Sequence, residues 1–249
     1  ARIDEIATEM DRGAEGPRHE QAPLAFSGLA LSGVCHRYYH EGVDDLFTLG
    51  PVDLVFAPAQ ITFLVGGNGS GKTTLAKLIC GLYVPEAGEL RLSGRPIDEG
   101  GREGLRETFA TVFSDFHLFE RLLAGGADVD ERGNRLIARL QLQHKVQVKG
   151  GAFTTRALSQ GQRKRLALVE ACLEDRPFFI FDEWAADQDP QFKDVFYREV
   201  LPELRAMGKT VLVISHDDRY FHLADRIVRM DSGQITEVCM PVVAREEAA

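Results

Sequence analysis

Ile61-Thr62-Phe63-Leu64-Val65-Gly66-Gly67-Asn68-Gly69-Ser70-Gly71-Lys72-Thr73-Thr74-Leu75-Ala76-Lys77-Leu78 is the stretch on which the reading of this chain turns. Its first five residues are a near-continuous apolar run, the pattern of a strand buried on both faces. The turn that follows fits G-x-x-x-x-G-K-[ST] from Gly66 to Thr73, and the residues from Thr74 onward suit a helix. Glycines let the backbone curl so that successive N–H groups point at phosphate oxygens, and the helix start adds partial positive charge. Lys72 suits the outer phosphates of a nucleoside triphosphate, and the Thr73 hydroxyl suits Mg²⁺. Gly66, Gly67, Asn68, Gly69, Ser70, Gly71, Lys72, Thr73 and Thr74 are therefore candidate nucleotide-binding residues.

Two later runs match the first strand: Phe178-Phe179-Ile180-Phe181 and Val211-Leu212-Val213-Ile214. Between them, residues 190–207 place Phe192, Val195, Phe196, Val200 and Leu204 on one side of a helix. Asp189 suits its N-cap, Pro190 its first position and Gly208 its exit, while Pro202 predicts a kink. Strand–helix alternation implies an α/β sheet whose ligand lies beyond the carboxyl ends of the strands. Residues 27–65 are β-like. From about 104 to 163 the strand signal fades, and 130–147 is charged and helix-forming, which predicts an inserted, mainly helical subdomain. Residues 226–231 and 235–238, around Asp231-Ser232-Gly233, read as a hairpin. In the first 25 residues Ile3, Ile6 and Met10 stand at helical spacing before a Gly-, Pro- and charge-rich stretch. A helix end followed by a linker and a disordered terminus both fit.

The 249 residues are 44% hydrophobic and 27% charged, a soluble globular balance. A net charge of -9 argues against a general nucleic-acid or anionic-membrane binder. Cys35, Cys80, Cys172 and Cys239 lack metal-ligand or redox spacing and read as reduced, mostly buried residues. No apolar run reaches the roughly 18–20 residues that span a bilayer. The first residue, Ala1, suggests a fragment or a processed chain.

Further motifs fall at strand and helix ends. Phe178 to Phe181 delivers Asp182 and Glu183 to a strand terminus: Asp182 suits Mg²⁺ through water, and Glu183 suits a general base toward an attacking water. Ser159 followed three residues later by Gln162 is a capping box, and the exposed helix start it opens is a second anion site. His216 stands just beyond the third apolar run.

Leu158-Ser159-Gln160-Gly161-Gln162-Arg163 resembles the signature motif of the ABC ATPase family, usually Leu-Ser-Gly-Gly-Gln, with Gln160 replacing one glycine. The resemblance extends from about residue 28 to 238 with the motif order preserved. It implies an α/β P-loop NTPase fold, with a RecA-like core, an antiparallel β subdomain and the helical insertion. The ATPase domain would span 26–240, between a linker from a transmembrane domain (1–25) and a C-terminal tail (241–249). ATP and Mg²⁺ are the implied cofactors. By resemblance, Gly66 to Thr73 is Walker A and Phe178 to Asp182 is Walker B. Glu183 would be the catalytic glutamate and His216 the switch histidine that contacts the γ-phosphate. Ala186-Asp187-Gln188-Asp189 aligns with the D-loop, and Tyr38 with the aromatic that stacks on adenine, Tyr39 being its rival. Two such domains would form a head-to-tail dimer, each ATP lying between one Walker A and the signature residues Ser159, Gln160, Gly161 and Gln162 of the other.

One position departs from the family. Phe109 to Phe119 aligns with the Q-loop, but Ser114 stands where the metal-contacting glutamine belongs. Serine is too short for the same reach, and Asp115 or a bridging water are the substitutes. Val112 to Phe119, Leu158 to Arg165 and Phe181 to Pro190 together resemble the cyclic-peptide exporter subfamily. These are bacterial half-transporters for siderophore precursors, lipopeptides or lasso-type microcins. That resemblance implies ATP-driven export from the cytoplasmic face of the inner membrane, a transmembrane partner and no nucleic acid. The alternatives are a soluble ABC ATPase or a nucleotide-switched dimerisation module, which predict a coiled-coil insertion or basic face, or a missing Glu183 or His216.

Overall fold

The computed structural model describes residues 26–39 and 46–241. The linker expected over 1–25, and the tail beyond Pro241, lie outside the described residues.

The three apolar runs form the centre of one sheet. Strands β1 (Leu29–Tyr39), β2 (Leu46–Phe56) and β3 (Ile61–Val65) precede helix α1 (Lys72–Ile79). Then come β4 (Ala87–Leu92), β5 (Arg95–Pro96), the short α2 (Arg102–Arg106) and β6 (Phe109–Val112). Helices α3 (Val129–Arg139) and α4 (Gln160–Glu174) lead into β7 (Phe178–Asp182). Helix α5 (Pro190–Val195), a π-helical segment Phe196–Val200 and α6 (Leu201–Ala206) follow, then β8 (Thr210–Ile214), a 3₁₀ turn Asp218–Leu223, β9 (Arg226–Asp231) and β10 (Gln234–Cys239). The six-stranded sheet runs β10-β9-β3-β8-β7-β6, parallel throughout except for the β9–β10 hairpin. A second sheet, β2-β1-β4-β5, is antiparallel.

Every residue of β3, β7 and β8 is buried because alternate side chains enter two different cores. Phe63, Phe179, Phe181, Val211 and Val213 pack with Leu166 and Val169 of α4 and with Phe196 and Leu201. Leu64, Phe178, Ile180, Leu212 and Ile214 pack instead with Leu75 and Leu78 of α1 and with Leu31 and Val52 of the antiparallel sheet. The register sets Leu64, Ile214 and Asp182 in one row across β3, β8 and β7. The residues just after that row therefore emerge along one rim.

Two local expectations are revised. The insertion predicted from about 104 begins later, because Phe109–Val112 pairs in parallel with β7 as the edge of the main sheet. Four residues are too short a run for periodicity to reveal as a strand. Of the helix-forming stretch 130–147 only the part within α3 is helical, and the insertion also holds two isolated bridges, Arg121 with Ala152 and Val148 with Phe153. Near Pro202, where the sequence predicts a kink, a π-helical segment ends two residues before the proline. Proline has no N–H to give the carbonyl one turn back, and a widened turn relieves the clash of its ring with that carbonyl.

Candidate nucleotide site at the strand rim

The turn from Gly66 to Gly71 needs glycine at its two ends. Gly66 adopts φ 155°, and a Cβ there would lie 2.1 Å from the Met230 carbonyl oxygen. Gly71, at φ 97°, caps α1 in the left-handed region and lies against the Phe47 ring. Lys72 is only 6% exposed, and its ammonium donates to the carbonyl oxygens of Gly66 (2.9 Å) and Gly67 (2.8 Å). Burial lowers its pKa from the ordinary lysine value, while the Glu183 and Asp182 carboxylates act to raise it. A buried ammonium held by main-chain carbonyls, beside a loop with open space at Gly67 and Gly69, is available to an incoming anion.

Asp182, 1% exposed, ends β7 and accepts a hydrogen bond from the Thr73 hydroxyl at 2.9 Å. Burial raises its pKa above the usual carboxylate value, and the charges of Glu183 and Asp115 push the same way, against Thr73 and Lys72. A buried carboxylate sharing a hydroxyl, with acids beyond it, is the donor set of a hard divalent cation, so Thr73 and Asp182 fit Mg²⁺. Ser114 sits in the exposed turn after β6, and it is its neighbour Asp115 whose charge acts on Asp182.

Glu183 follows in a left-handed conformation, φ 51°. Contacts from several elements hold it. Its N–H donates to the Ile214 carbonyl (3.1 Å), its carbonyl accepts from Lys164 (3.2 Å), and its carboxylate lies 3.1 Å from His216 Nε2. Lys164, 2% exposed on α4, also pairs with Asp187 at 2.7 Å, and its own carbonyl accepts from the Trp184 indole. Beside it, Arg165 binds Gln188 and Asp189 and lies over the Phe192 ring. Asp189 also caps α5, accepting from the Phe192 N–H. The whole 186–189 stretch is thereby clamped to the first turns of α4. A cavity of about 280 Å³ opens beside Glu183, His216 and Ser215, with Tyr197 in its wall.

Ser159 caps α4 as the sequence implies: its hydroxyl accepts from the Gln162 N–H, and the Gln162 side chain accepts from the Ser159 N–H. Gly161 packs on the 186–189 stretch, its carbonyl accepting from Gln188. Among the described residues, no hydrogen bond joins Ser159, Gln160, Gly161 or Gln162 to the glycine-rich turn. The structure thus gathers Lys72, Thr73, Asp182, Glu183 and His216 and leaves the α4 start apart. Tyr38 on β1 lies 5.2 Å, ring to ring, from Phe47, which touches Gly71. That places Tyr38 one residue away from the turn. Sequence reasoning missed Phe47 and Lys164; neither belongs to a spacing pattern, since each reaches the site only across the fold.

The comparisons with known proteins bear on this geometry. The family described as "ABC transporter" matches residues 49–186. The chain belongs to that family. As its ATP-binding ATPase domain, the chain resembles "ATP-binding protein SyrD" of Pseudomonas syringae pv. syringae, 48% identical over 217 residues, covering 85% of this chain and 38% of the relative. An "ATP-dependent lipid A-core flippase" of Alkalilimnicola ehrlichii is 34% identical, covering 89% of this chain and 39% of that protein. The fold superposes on a structure titled "Structure of a bacterial Atm1-family ABC exporter with ATP bound" with TM-score 0.72 at 22% identity, over 96% of this chain and 43% of that one. The chain therefore spans well under half the length of these relatives.

Proposed function

We propose that this ABC ATPase domain drives export by a membrane transporter, with a cyclic-peptide or siderophore-type cargo. The observation that carries the ATPase part is the convergence of Lys72, Thr73–Asp182 and Glu183–His216 at adjacent strand ends. The cargo class rests on the three stretches around Phe113, Ser159 and Glu183 that resemble cyclic-peptide exporters.

In this reading the main-chain N–H groups of the glycine-rich turn and the start of α1 bind the phosphates, while Lys72 turns from its carbonyls to the outer phosphate oxygens. Tyr38 stacks on adenine. Thr73 and Asp182, with Asp115 in place of the short Ser114, would hold Mg²⁺, which when bound would neutralise phosphate charge. Glu183 takes the proton of a water whose oxygen attacks the terminal phosphorus, as the bond to the ADP oxygen breaks. His216 donates to the terminal phosphate and steadies the Glu183 carboxylate. Lys164 fixes the Glu183 backbone, so the base is aimed before substrate arrives.

Two copies would complete the site. Ser159, Gln160, Gly161 and Gln162 stand apart from the chain's own phosphate loop, and their helix start is free to face the γ-phosphate of a second copy. The membrane partner would be a transmembrane domain, and the working location the cytoplasmic face of a bacterial inner membrane.

Ser159→Arg tests the shared site. Loss of the cap costs about 1 kcal/mol of stability, yet ATP turnover is expected to fall at least tenfold through blocked pairing. Normal turnover by a folded Ser159→Arg chain would overturn the head-to-tail arrangement.

A further inference from the structure

The His216 ring is solvent-exposed and, among the described residues, meets only Glu183 in a hydrogen bond, so its aim depends on what fixes the backbone around it. A side chain from another element pins that backbone. Ser215, 5% exposed, directly follows β8, and its hydroxyl accepts from the Asp217 N–H at 3.1 Å, bridging the residues on either side of His216. The same hydroxyl lies 2.7 Å from the Tyr197 hydroxyl, in a bond where either oxygen can be the donor. Tyr197, 1% exposed, stands in the π-helical segment Phe196–Val200.

The Tyr197 ring is itself held. It stacks on Tyr220, with 4.1 Å between centroids and 14° between planes, and meets Phe63 and Phe196 edge-on. The Tyr220 hydroxyl donates to Asp194 (2.9 Å), and Phe196 stacks in turn on Trp184, the neighbour of Glu183. On the other side of His216, Lys193 and Arg219 hold the Asp217 carboxylate at 3.7 and 2.7 Å. Burial pushes the Tyr197 phenol up to about 12, so it stays neutral at working pH. Two buried hydroxyls are an odd choice for this apolar core. Phenylalanine and alanine would fill the same space, and replacing both partners of a buried hydrogen bond by apolar groups costs little stability. What the apolar pair would lose is direction, because a hydrogen bond fixes distance and angle where apolar contact does not.

We infer that Tyr197 and Ser215 are a positioning pair for His216: the Tyr197 hydroxyl, through Ser215, sets the main chain from Ser215 to Asp217 so that His216 Nε2 stays at hydrogen-bond distance from Glu183. This deepens, and rests on, the reading of Glu183 and His216 as the hydrolytic base and its partner. Neither Tyr197 nor Ser215 belongs to the phosphate loop or supplies a reacting atom. The pair ties three elements together at one point. They are the π-helical segment, the end of β8 and, through the Ile214 carbonyl that accepts from the Glu183 N–H, the end of β7. Lys164 fixes the Glu183 side of the couple from α4, and Tyr197 fixes the His216 side. A misplacement of about 1 Å at such a junction costs tenfold or more in rate while leaving substrate binding intact.

The experiment measures steady-state ATP turnover and the NMR signals of the histidine rings in the 249-residue chain. Tyr197→Phe removes one hydroxyl and keeps the ring; it is expected to lower kcat about tenfold with KM for Mg-ATP within twofold. The double variant Tyr197→Phe/Ser215→Ala removes both oxygens. It is expected to hold Tm within about 4 °C of the parent and still to lose kcat about tenfold. In a His216→Ala background, Tyr197→Phe is expected to change the remaining kcat less than twofold, because its effect passes through His216. In the nucleotide-free chain, Tyr197→Phe is expected to shift the His216 ring signals while those of His36, His117 and His144 stay in place. Three outcomes overturn the inference: a loss that multiplies with that of His216→Ala, a rise in KM at unchanged kcat, or His216 signals that do not move. So does a double variant that loses turnover only as far as it loses folded protein. Full turnover by His216→Ala alone would overturn the hydrolytic reading, and the pair's role with it. That failure shows in a single variant, so the two are separable.

Discussion

Asp182 and Glu170 are both buried carboxylates, one at the strand rim and one on the α4 face, and their surroundings differ in kind. Asp182 has the Thr73 hydroxyl at 2.9 Å and the Lys72 charge acting to hold it ionised. Glu170 has no hydrogen bond to Oε1 and feels only another acid. The rim is a site whose polar groups answer one another within the chain. Burial penalises a charge in both places, and what separates them is whether this chain itself supplies a compensating partner.

Glu183→Gln is the largest test of the rim. Turnover is expected to fall about 10²–10⁴-fold with nucleotide affinity kept, and the variant to form an ATP-dependent dimer. Phosphate release and sedimentation in saturating Mg-ATP measure both, and undiminished turnover would break the assignment of the base. Lys72→Ala follows, with nucleotide affinity expected to weaken about 10–100-fold by titration. Unchanged affinity would mean the glycine-rich turn holds no phosphate.

Lys164→Met sharpens the comparison, because this lysine is buried on α4 like Glu170 but is paired with Asp187 and the Glu183 carbonyl. As a positioning residue it is expected to lower kcat about tenfold while KM for ATP stays within twofold, with Lys164→Arg recovering part of the loss. A rise in KM alone would point to a role in binding instead.

The smallest effect concerns pH. Glu170 in the folded chain keeps its proton up to about pH 7, whereas an unfolded glutamate releases it in the ordinary carboxylate range. Stability should therefore decline as pH rises from that range to about 7 and level off above it. The raised values of Glu174 and Asp182 act in the same direction, so Glu170→Met should make the decline shallower without abolishing it. Urea melts at pH 5, 6, 7 and 8 measure the slope, and an unaltered slope would show Glu170 is not the titrating group.

Much of the rim is legible in the residue order. The turn 66–73, the acid pair after β7 and the histidine after β8 each adjoin an apolar run, and buried parallel strands bring such ends together. The edge strand Phe109–Val112 was hidden because four residues carry too little pattern, and its partner β7 lies 66 or more positions away. Phe47 and Lys164 were hidden for a related reason, since each meets the site only through a contact across the sheet or helix packing.

Residue order alone offers the candidate phosphate loop, the strand ends that carry the candidate acid and base, and the Ser159 cap, because each is a local pattern of hydrogen bonding and hydrophobic period, and it carries the motifs by which the chain resembles its family. Tertiary structure decides which buried charges find partners. Lys164 and Glu170 are on the same helix, less than two turns apart, yet one faces the Glu183 strand end and the other an open groove. Helix periodicity tells which residues share a face, but only packing determines what each face meets.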